Sequence, residues 1–322
     1  MKAIRINEQG ASDVMKLEEV PTPTAGEGQL LVKQDAIGLN YIDTYQRSGQ
    51  YPMETPFTPG NEGAGVVESV GAGVSGFQAG DRVCYTGVIG AYAEYALLPA
   101  ARTVKMPEGM DIRMGAAIML QGMTAHYLCR DTYVIQQGDS CLVHAGAGGV
   151  GLLLIQMCKM FGATVFTTVS TDEKAELAKG AGADHTILYT KEDFEQAVVD
   201  KVGDNKLNVV FDSVANDTFE KGLNLLRPRG MMVLYGASSG PVPPFDLNIL
   251  GGKGSLYVTR PTLGHYVTTS EDLEKRSAEV LGWVADGRLD VRIGTTFPLA
   301  EAKAAHDALT GRATTGKVLL IP

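Results

Sequence analysis

The sequence is short of the side chains from which metal centres and disulfide frameworks are built. It has four cysteines and five histidines in 322 residues. Cys84, Cys129, Cys141 and Cys158 form no C-x-x-C pair, and His126, His144, His185, His265 and His306 have neither an i, i+4 partner nor a cysteine neighbour suited to a metal. A zinc ribbon and a disulfide scaffold are therefore not expected. Cys141 and Cys158 fall inside apolar segments and read as small buried hydrophobes, which fits a reducing, cytoplasmic setting. Long apolar runs are missing too, since none approaches the roughly 18 residues of a membrane helix. The opening MKAIRINEQG alternates apolar and polar residues where an export signal would carry a continuous apolar core, so export is not expected. Positive charge is scarce, 28 Lys and Arg against 37 Asp and Glu, and a pI near 5.1 argues against a nucleic-acid footprint spread over the whole surface, which leaves room only for a local basic groove.

Glycine, by contrast, is abundant at 39 residues, and one placement of it organises the rest. Residues 140–161 read SCLVHAGAGGVGLLLIQMCKMF. A strand-like apolar run passes straight into Gly146, Gly148 and Gly151 at G-x-G-x-x-G spacing, and an almost wholly apolar helical segment follows. In such a turn the first glycine permits the bend, the second lets a pyrophosphate approach the backbone, and the third lets helix and strand pack closely. The helix then offers its unpaired N–H groups and positive dipole end to the anion. A bare glycine match is weak in so glycine-rich a chain; the strand before and the helix after give it meaning.

The length allows two domains, each with its own core. Over the first 120 residues, short β-like runs recur at 1–6, 29–37, 63–70, 81–85 and 92–98, separated by turn signals, with a short helix at 40–49. This is the pattern of an irregular β-barrel. Residues 112–130 carry helical spacing and lead into the second domain. From residue 140 strands and helices alternate: strands at 164–169, 183–189, 207–213 and 231–236, with helices at 172–179, 192–201 and 217–226 between them. That rhythm predicts a doubly wound parallel sheet. A strand at 255–259, helices at 271–286 and 299–309, and strands at 291–297 and 317–321 complete the chain, and the two tail strands are candidates to rejoin the barrel.

A dinucleotide fold selects its cofactor at the end of the second strand, where an acid binds the ribose of NAD. Here that strand ends in Ser170-Thr171, with no carboxylate, and Lys174 follows on the next helical turn. Hydroxyls and an ammonium suit a 2′-phosphate, so NADP is favoured. Asp172 and Glu173 are expected to face solvent as first-turn acids, and Ser170 with Glu173 has the spacing of a capping box.

Eight segments carry a pattern of their own: AIGLNYIDTYQRSGQYP at 36–52, PGNEGAGVV at 59–67, AGDRV at 79–83, LQGMTAHYL at 120–128, HAGAGGVG at 144–151, FDSV at 211–214, KGSLYVTRP at 253–261 and GRATTGKVLLIP at the end. Together they resemble the zinc-free quinone oxidoreductases of the medium-chain dehydrogenase/reductase superfamily, the group of the bacterial NADPH:quinone reductases and ζ-crystallin. The resemblance covers essentially the whole length. It implies a GroES-like β-barrel domain built from residues 1–122 and 263–322, with a Rossmann domain, 123–262, inserted. At the positions that match the catalytic zinc site of zinc-dependent members stand three amides, Asn40, Asn61 and Gln121, and neutral amides are poor zinc ligands. Gln121 also departs from the lysine that some bacterial relatives carry.

The same resemblance implies an NADPH-dependent enzyme that passes hydride directly to a quinone, without metal or flavin, from a nicotinamide that carries the difficult chemistry. Reduction of an activated carbon–carbon double bond in an enal or enone is the alternative on the same fold, and an NADPH-binding protein with a nucleic-acid-binding or structural role is the third reading. The catalytic candidates are Asn40 for orienting nicotinamide or acceptor, Tyr45 and Tyr51 as donors or ring walls, and Arg260 in the RP motif. The cofactor residues carried over are Thr124 and Tyr127 beside the nicotinamide, and Gly146, Gly148, Gly149, Val150 and Gly151 at the pyrophosphate. Ser170, Lys174 and Tyr189 fall at the 2′-phosphate, Ser213, Tyr235, Gly236, Ala237 and Ser238 around the adenosine and ribose, and Arg312 in GRAT. A homodimer paired through the strand at 255–259 is implied as well.

Overall fold

The computed structural model describes residues 1–203 and 206–322, and the chain divides into two compact units, Met1–Met123 with Val267–Pro322, and Thr124–Tyr266. The first unit opens with β1 (Lys2–Ile6) and β2 (Met15–Glu19), paired antiparallel with Ile4 opposite Leu17. The eleven-residue β3 (Gln29–Leu39) is its spine, with Leu30, Leu31, Val32, Ala36, Ile37 and Leu39 all buried, an apolar content that suits a strand covered by its neighbours. Next come α1 (Tyr41–Ser48), β4 (Glu62–Val70), β5 (Arg82–Thr86), β6 (Tyr95–Pro99), β7 (Thr103–Lys105) and α2 (Ile112–Tyr127), which runs on as a π-helical turn over Leu128–Thr132. β3 pairs antiparallel with both β4 and β6, and its core neighbours include Val83, Tyr85 and Leu98.

The second unit is a six-stranded parallel sheet. Its elements are β8 (Ser140–Val143), α3 (Gly149–Met160), β9 (Thr164–Val169), α4 (Asp172–Gly180), β10 (His185–Leu188), α5 (Phe194–Val202), β11 (Leu207–Asp212), α6 (Phe219–Asn224), β12 (Leu226–Leu234), α7 (Asn248–Gly252) and β13 (Tyr257–Thr259). The strand order is β10-β9-β8-β11-β12-β13. The chain thus winds outward from β8 to one side and from β11 to the other, which puts the topological switch between β8 and β11.

The return segment supplies α8 (Ser270–Ala285), β14 (Ile293–Pro298), α9 (Ala302–Thr310) and β15 (Lys317–Ile321). α8 starts at a capping box, Thr269 Oγ1 accepting from Asp272 N at 3.0 Å while the Asp272 carboxylate accepts from Thr269 N. β15 pairs antiparallel with β3, Leu319 opposite Gly38, and β14 runs parallel beside β15, so the tail strands do rejoin the first sheet. One expected detail is corrected: α4 is capped by Thr171, whose Oγ1 accepts from Lys174 N at 3.3 Å, and not by a Ser170–Glu173 box. Thr171 is still extended at φ −140°, ψ 159°, so the helix begins one residue later than the spacing suggested. No helix among the described residues is long and apolar enough to cross a membrane.

Candidate active site

The glycine turn lies where the switch point requires it. His144 N donates to Phe211 O on β11 and Gly146 N to Thr168 O on β9, so the turn leaves β8 across the carboxyl ends of its neighbours. A Cβ at Gly146 would run into the Thr167 side chain, and one at Gly151 would sit 2.9 Å from the Gly146 Cα. Both positions are closed to any side chain. At Gly148 a Cβ would meet only Ala145 O, at 3.2 Å, a tight contact but a milder one than at the other two glycines. Gly148 caps α3 without any side-chain hydrogen bond, which leaves the first-turn N–H groups of Gly149, Val150 and Gly151 to a ligand. Ala145, just before the turn, holds φ at +56°, a strained value for a non-glycine residue. His144 is fully buried, with Nδ1 2.9 Å from Thr168 Oγ1 and its ring edge-on to Phe194, and burial lowers its pKa. It packs the strand end.

The proposed 2′-phosphate residues converge at the ends of β9 and β10. Leu188 pairs with Val169, Tyr189 N donates to Val169 O at 3.2 Å, and Thr190 Oγ1 donates to Ser170 O at 2.9 Å. This brings Ser170 and Tyr189 onto one rim with Lys174 in the first turn of α4. Asp172 is tied at 2.7 Å to Lys191, a second cation on this rim that the sequence reading missed. On the other side of the switch, Tyr235 N donates to Asp212 O and Ser238 N to Ser213 O, and a Cβ at Gly236 would lie 2.7 Å from Ser213 O. Ser213, Tyr235, Gly236, Ala237 and Ser238 therefore form one loop cluster. Residues 236–240, GASSG, fit the spelling of a nucleophile elbow, but Ser238 stands on a loop with no helix directly following it. Thr124 and Tyr127 are buried in the last turns of α2, the Tyr127 ring stacked on Tyr266 at 4.2 Å. Arg260 Nη1 donates to Leu234 O at 3.1 Å.

Asn40, Tyr45, Tyr51 and Arg312 belong to the first unit. Tyr41, Tyr45 and Tyr51 form a row of rings with centroids 5.3 and 5.1 Å apart, and Tyr51 N donates to Tyr45 O. Tyr41, not foreseen, adds a third ring; burial raises its pKa, and the Arg312 charge opposes that shift. Asn40 is 2% exposed and fully engaged: Nδ2 donates to Gly38 O at 3.1 Å and Glu62 Oε2 at 2.7 Å, and Oδ1 accepts from Lys317 Nζ at 2.9 Å. Lys317 also pairs directly with Glu62, and the two side chains are 1% and 0% exposed. Asp43 accepts from Asn40 N at 2.9 Å, Asn61 Nδ2 at 2.8 Å and Tyr92 Oη at 3.1 Å.

Behind Tyr92 the direction of each hydrogen is fixed. Arg47 only donates, so His306 Nδ1, 3.3 Å from Arg47 Nη1, is the acceptor. His306 Nε2 then carries the hydrogen and donates to Tyr92 Oη at 3.0 Å, which in turn donates to Asp43. Burial and the Arg47 charge push the pKa of His306 down to about 3, so it stays neutral.

Residues 26–108 match the family model described as alcohol dehydrogenase GroES-like domain, and residues 149–281 match that of zinc-binding dehydrogenase. Over its whole length the chain is 44% identical to the quinone oxidoreductase of Pseudomonas aeruginosa, covering 99% of that protein. The chain belongs to the ζ-crystallin-like quinone oxidoreductase family. Its fold superposes on Escherichia coli quinone oxidoreductase complexed with NADPH at a TM-score of 0.98, with 41% identity and 100% of both chains covered. A 2-haloacrylate reductase of a Burkholderia species is 42% identical over 98% of each chain. The zinc in the second family description does not fit the residues of this quinone oxidoreductase family member. Asn61 spends its amide hydrogens on Asp43 and Gln46, the Asn40 oxygen already faces an ammonium, and the Cys84 thiol is held protonated by burial beside Glu62. Among the described residues no three His, Cys, Asp or Glu side chains converge to hold a metal.

Proposed function

We propose that the protein is an NADPH:quinone oxidoreductase that reduces its acceptor by direct hydride transfer. The carrying observation is the full-length match, at a TM-score of 0.98, to a quinone oxidoreductase complexed with NADPH, with a phosphate-binding turn at the switch point of the sheet. Bound NADPH supplies the hydride. The chain's own part is to hold the diphosphate on the N–H groups of Gly149, Val150 and Gly151, and the 2′-phosphate between Ser170, Lys174 and Tyr189. Lys191 adds positive potential to that rim, although its charge is shared with Asp172. Oxygen that gains negative charge during transfer needs hydrogen-bond donors at a dry site, and Tyr45 and Tyr51 are the donors we assign to that task. Asn40, with both amide hydrogens already engaged, serves to fix the start of α1.

Reduction of an activated alkene is the second reading, and the likeness to 2-haloacrylate reductase favours it specifically. We also propose a homodimer in the cytoplasm. Among the described residues β13 is an edge strand paired only with β12, and Tyr257 on it is 56% exposed while Leu247 is 71% exposed. The deciding experiment follows loss of reduced nicotinamide with quinones and enones side by side, using NADPH and NADH in parallel. Quinone turnover with NADPH is expected. Saturated product from enones with no quinone turnover would replace the first reading by the second. In Lys174→Ala the preference for NADPH over NADH should fall roughly 10- to 100-fold, the worth of a lost charge-assisted hydrogen bond; an unchanged preference would remove Lys174 from the phosphate site.

A further inference from the structure

We propose that Lys317 and Glu62 are positioning residues of the hydride-transfer reaction, a buried ion pair that sets the orientation of the Asn40 amide and with it the start of the tyrosine-bearing helix α1. The inference rests on the reading above that the segment from Asn40 to Tyr51 faces the acceptor.

An isolated primary amide has two nearly equivalent orientations, differing by a half-turn that exchanges oxygen and nitrogen. Here that choice is removed. Glu62 and the Gly38 carbonyl can only accept, and both lie on the Nδ2 side of Asn40 at 2.7 and 3.1 Å. The Lys317 ammonium can only donate, and it lies on the Oδ1 side at 2.9 Å. Turning the amide over would set nitrogen against ammonium and oxygen against carboxylate, in a place closed to bulk solvent. The backbone is cut to fit this pair: a Cβ at Gly38 would collide with the Glu62 carboxylate and with Ala116 O. Glu62 Oε1 is also committed, accepting from Leu120 N at 2.7 Å, so the carboxylate is held to α2 as well as to Asn40.

From Asn40 the constraint passes directly into α1. Asn40 N donates to Asp43 and Asp43 N donates to Asn40 O, which closes the first turn of the helix. Tyr41 and Tyr45 rise from that turn, and Tyr51 is tied to Tyr45 by ring contact and backbone hydrogen bond. Burying an ion pair is a poor way to gain stability, because removing two charges from water offsets most of their attraction. A pair that lies 1% and 0% exposed and brackets a single amide is better understood as a device for holding one conformation.

The test uses the full chain with Lys317→Met, Glu62→Gln and the double variant, with NADPH and 1,4-benzoquinone as substrates. Either single change strands a buried charge and lowers thermal stability. The double variant removes both charges, so its melting temperature is expected to return close to that of the wild type. Its kcat is expected to stay at least 10-fold low, because the Asn40 amide, flanked then by a neutral carboxamide and a thioether, can turn over. The dissociation constant for NADPH, read by fluorescence, is expected to change less than twofold. Lys317→Arg keeps the donor and is expected to regain part of the kcat. A double variant that regains kcat together with melting temperature overturns the proposal and leaves the pair as charge balance alone. If the wild type oxidises NADPH with no quinone and no enone, the reaction reading fails instead. The positioning is then read from hydrogen exchange over Tyr41–Ser48: faster exchange in the double variant supports it, and unchanged exchange overturns it.

Discussion

Asp43 carries a charge that its surroundings both hold and penalise. Burial raises its carboxyl to about 6, against hydrogen bonds from Asn40 N, Asn61 and Tyr92 and the attraction of Lys317, all of which act downward. The folded value lies above the 3.8 of an exposed aspartate, so between those two pH values the folded chain binds the proton more tightly than the unfolded one. The stability Asp43 contributes is therefore fully present below pH 3.8 and lost as pH rises through 6. The loss across that window is about 3 kcal/mol, at 1.36 kcal/mol per pH unit. Urea unfolding of the wild type and Asp43→Asn at intervals from pH 4 to 7 should show the variant free of this decline. Parallel profiles would mean that the hydrogen bonds outweigh burial.

At the scale of the element, the turn between β8 and α3 separates two kinds of glycine. Gly151→Ala forces a methyl against the Gly146 backbone and should cost about 1–3 kcal/mol of stability, as overpacking does. Gly148 has φ −77° and ψ 170°, which alanine adopts without strain, and a methyl there would press only on Ala145 O, at 3.2 Å. Gly148→Ala should fold normally and bind NADPH roughly tenfold more weakly, about 1.4 kcal/mol, by standing in the way of the diphosphate. Equal melting temperatures for the two variants would contradict this division. The turn was legible in the sequence because its signals are local: an apolar strand, three glycines at fixed spacing and an apolar helix, all within residues 140–161. The second sheet was legible for the same reason, each strand and helix announcing itself by its own period. The polar interior of the first unit was not. Asn40 and Lys317 are 277 positions apart, and Glu62 and Lys317 are 255 apart, so nothing near Asn40 in the chain discloses that an ammonium holds its amide oxygen. Only the pairing of β15 with β3 brings them together. The cap of α4 slipped by one residue because Ser170 and Thr171 offer the same hydroxyl, and backbone extension, not residue type, decides between them.

For the whole molecule, the homodimer proposed above would be carried by the exposed end of the second sheet. If two copies join through β13, a residue there meets its own image across the two-fold axis, and one substitution enters the interface twice. Tyr257→Asp would place two like charges at a strand edge. Light scattering should then show a monomer whose NADPH affinity is unaltered, since Tyr257 lies on the outermost strand of the sheet. A wild-type monomer would remove the dimer altogether. The return of β15 to β3 bears also on how the chain is made. A ribosome releases β3, β4 and β6 early, but the third partner of β3, β15, emerges only when residues 317–321 leave the exit tunnel, long after all six strands of the parallel sheet are outside. During that interval the Ile37–Leu39 end of β3 lacks the neighbour that β15 supplies, and the Glu62 carboxylate has no cation beside it. The unit that is synthesised first must therefore be the one completed last, and a nascent chain stalled before Lys317 presents a finished coenzyme-binding fold joined to an open sheet, a form that chaperones would be expected to recognise.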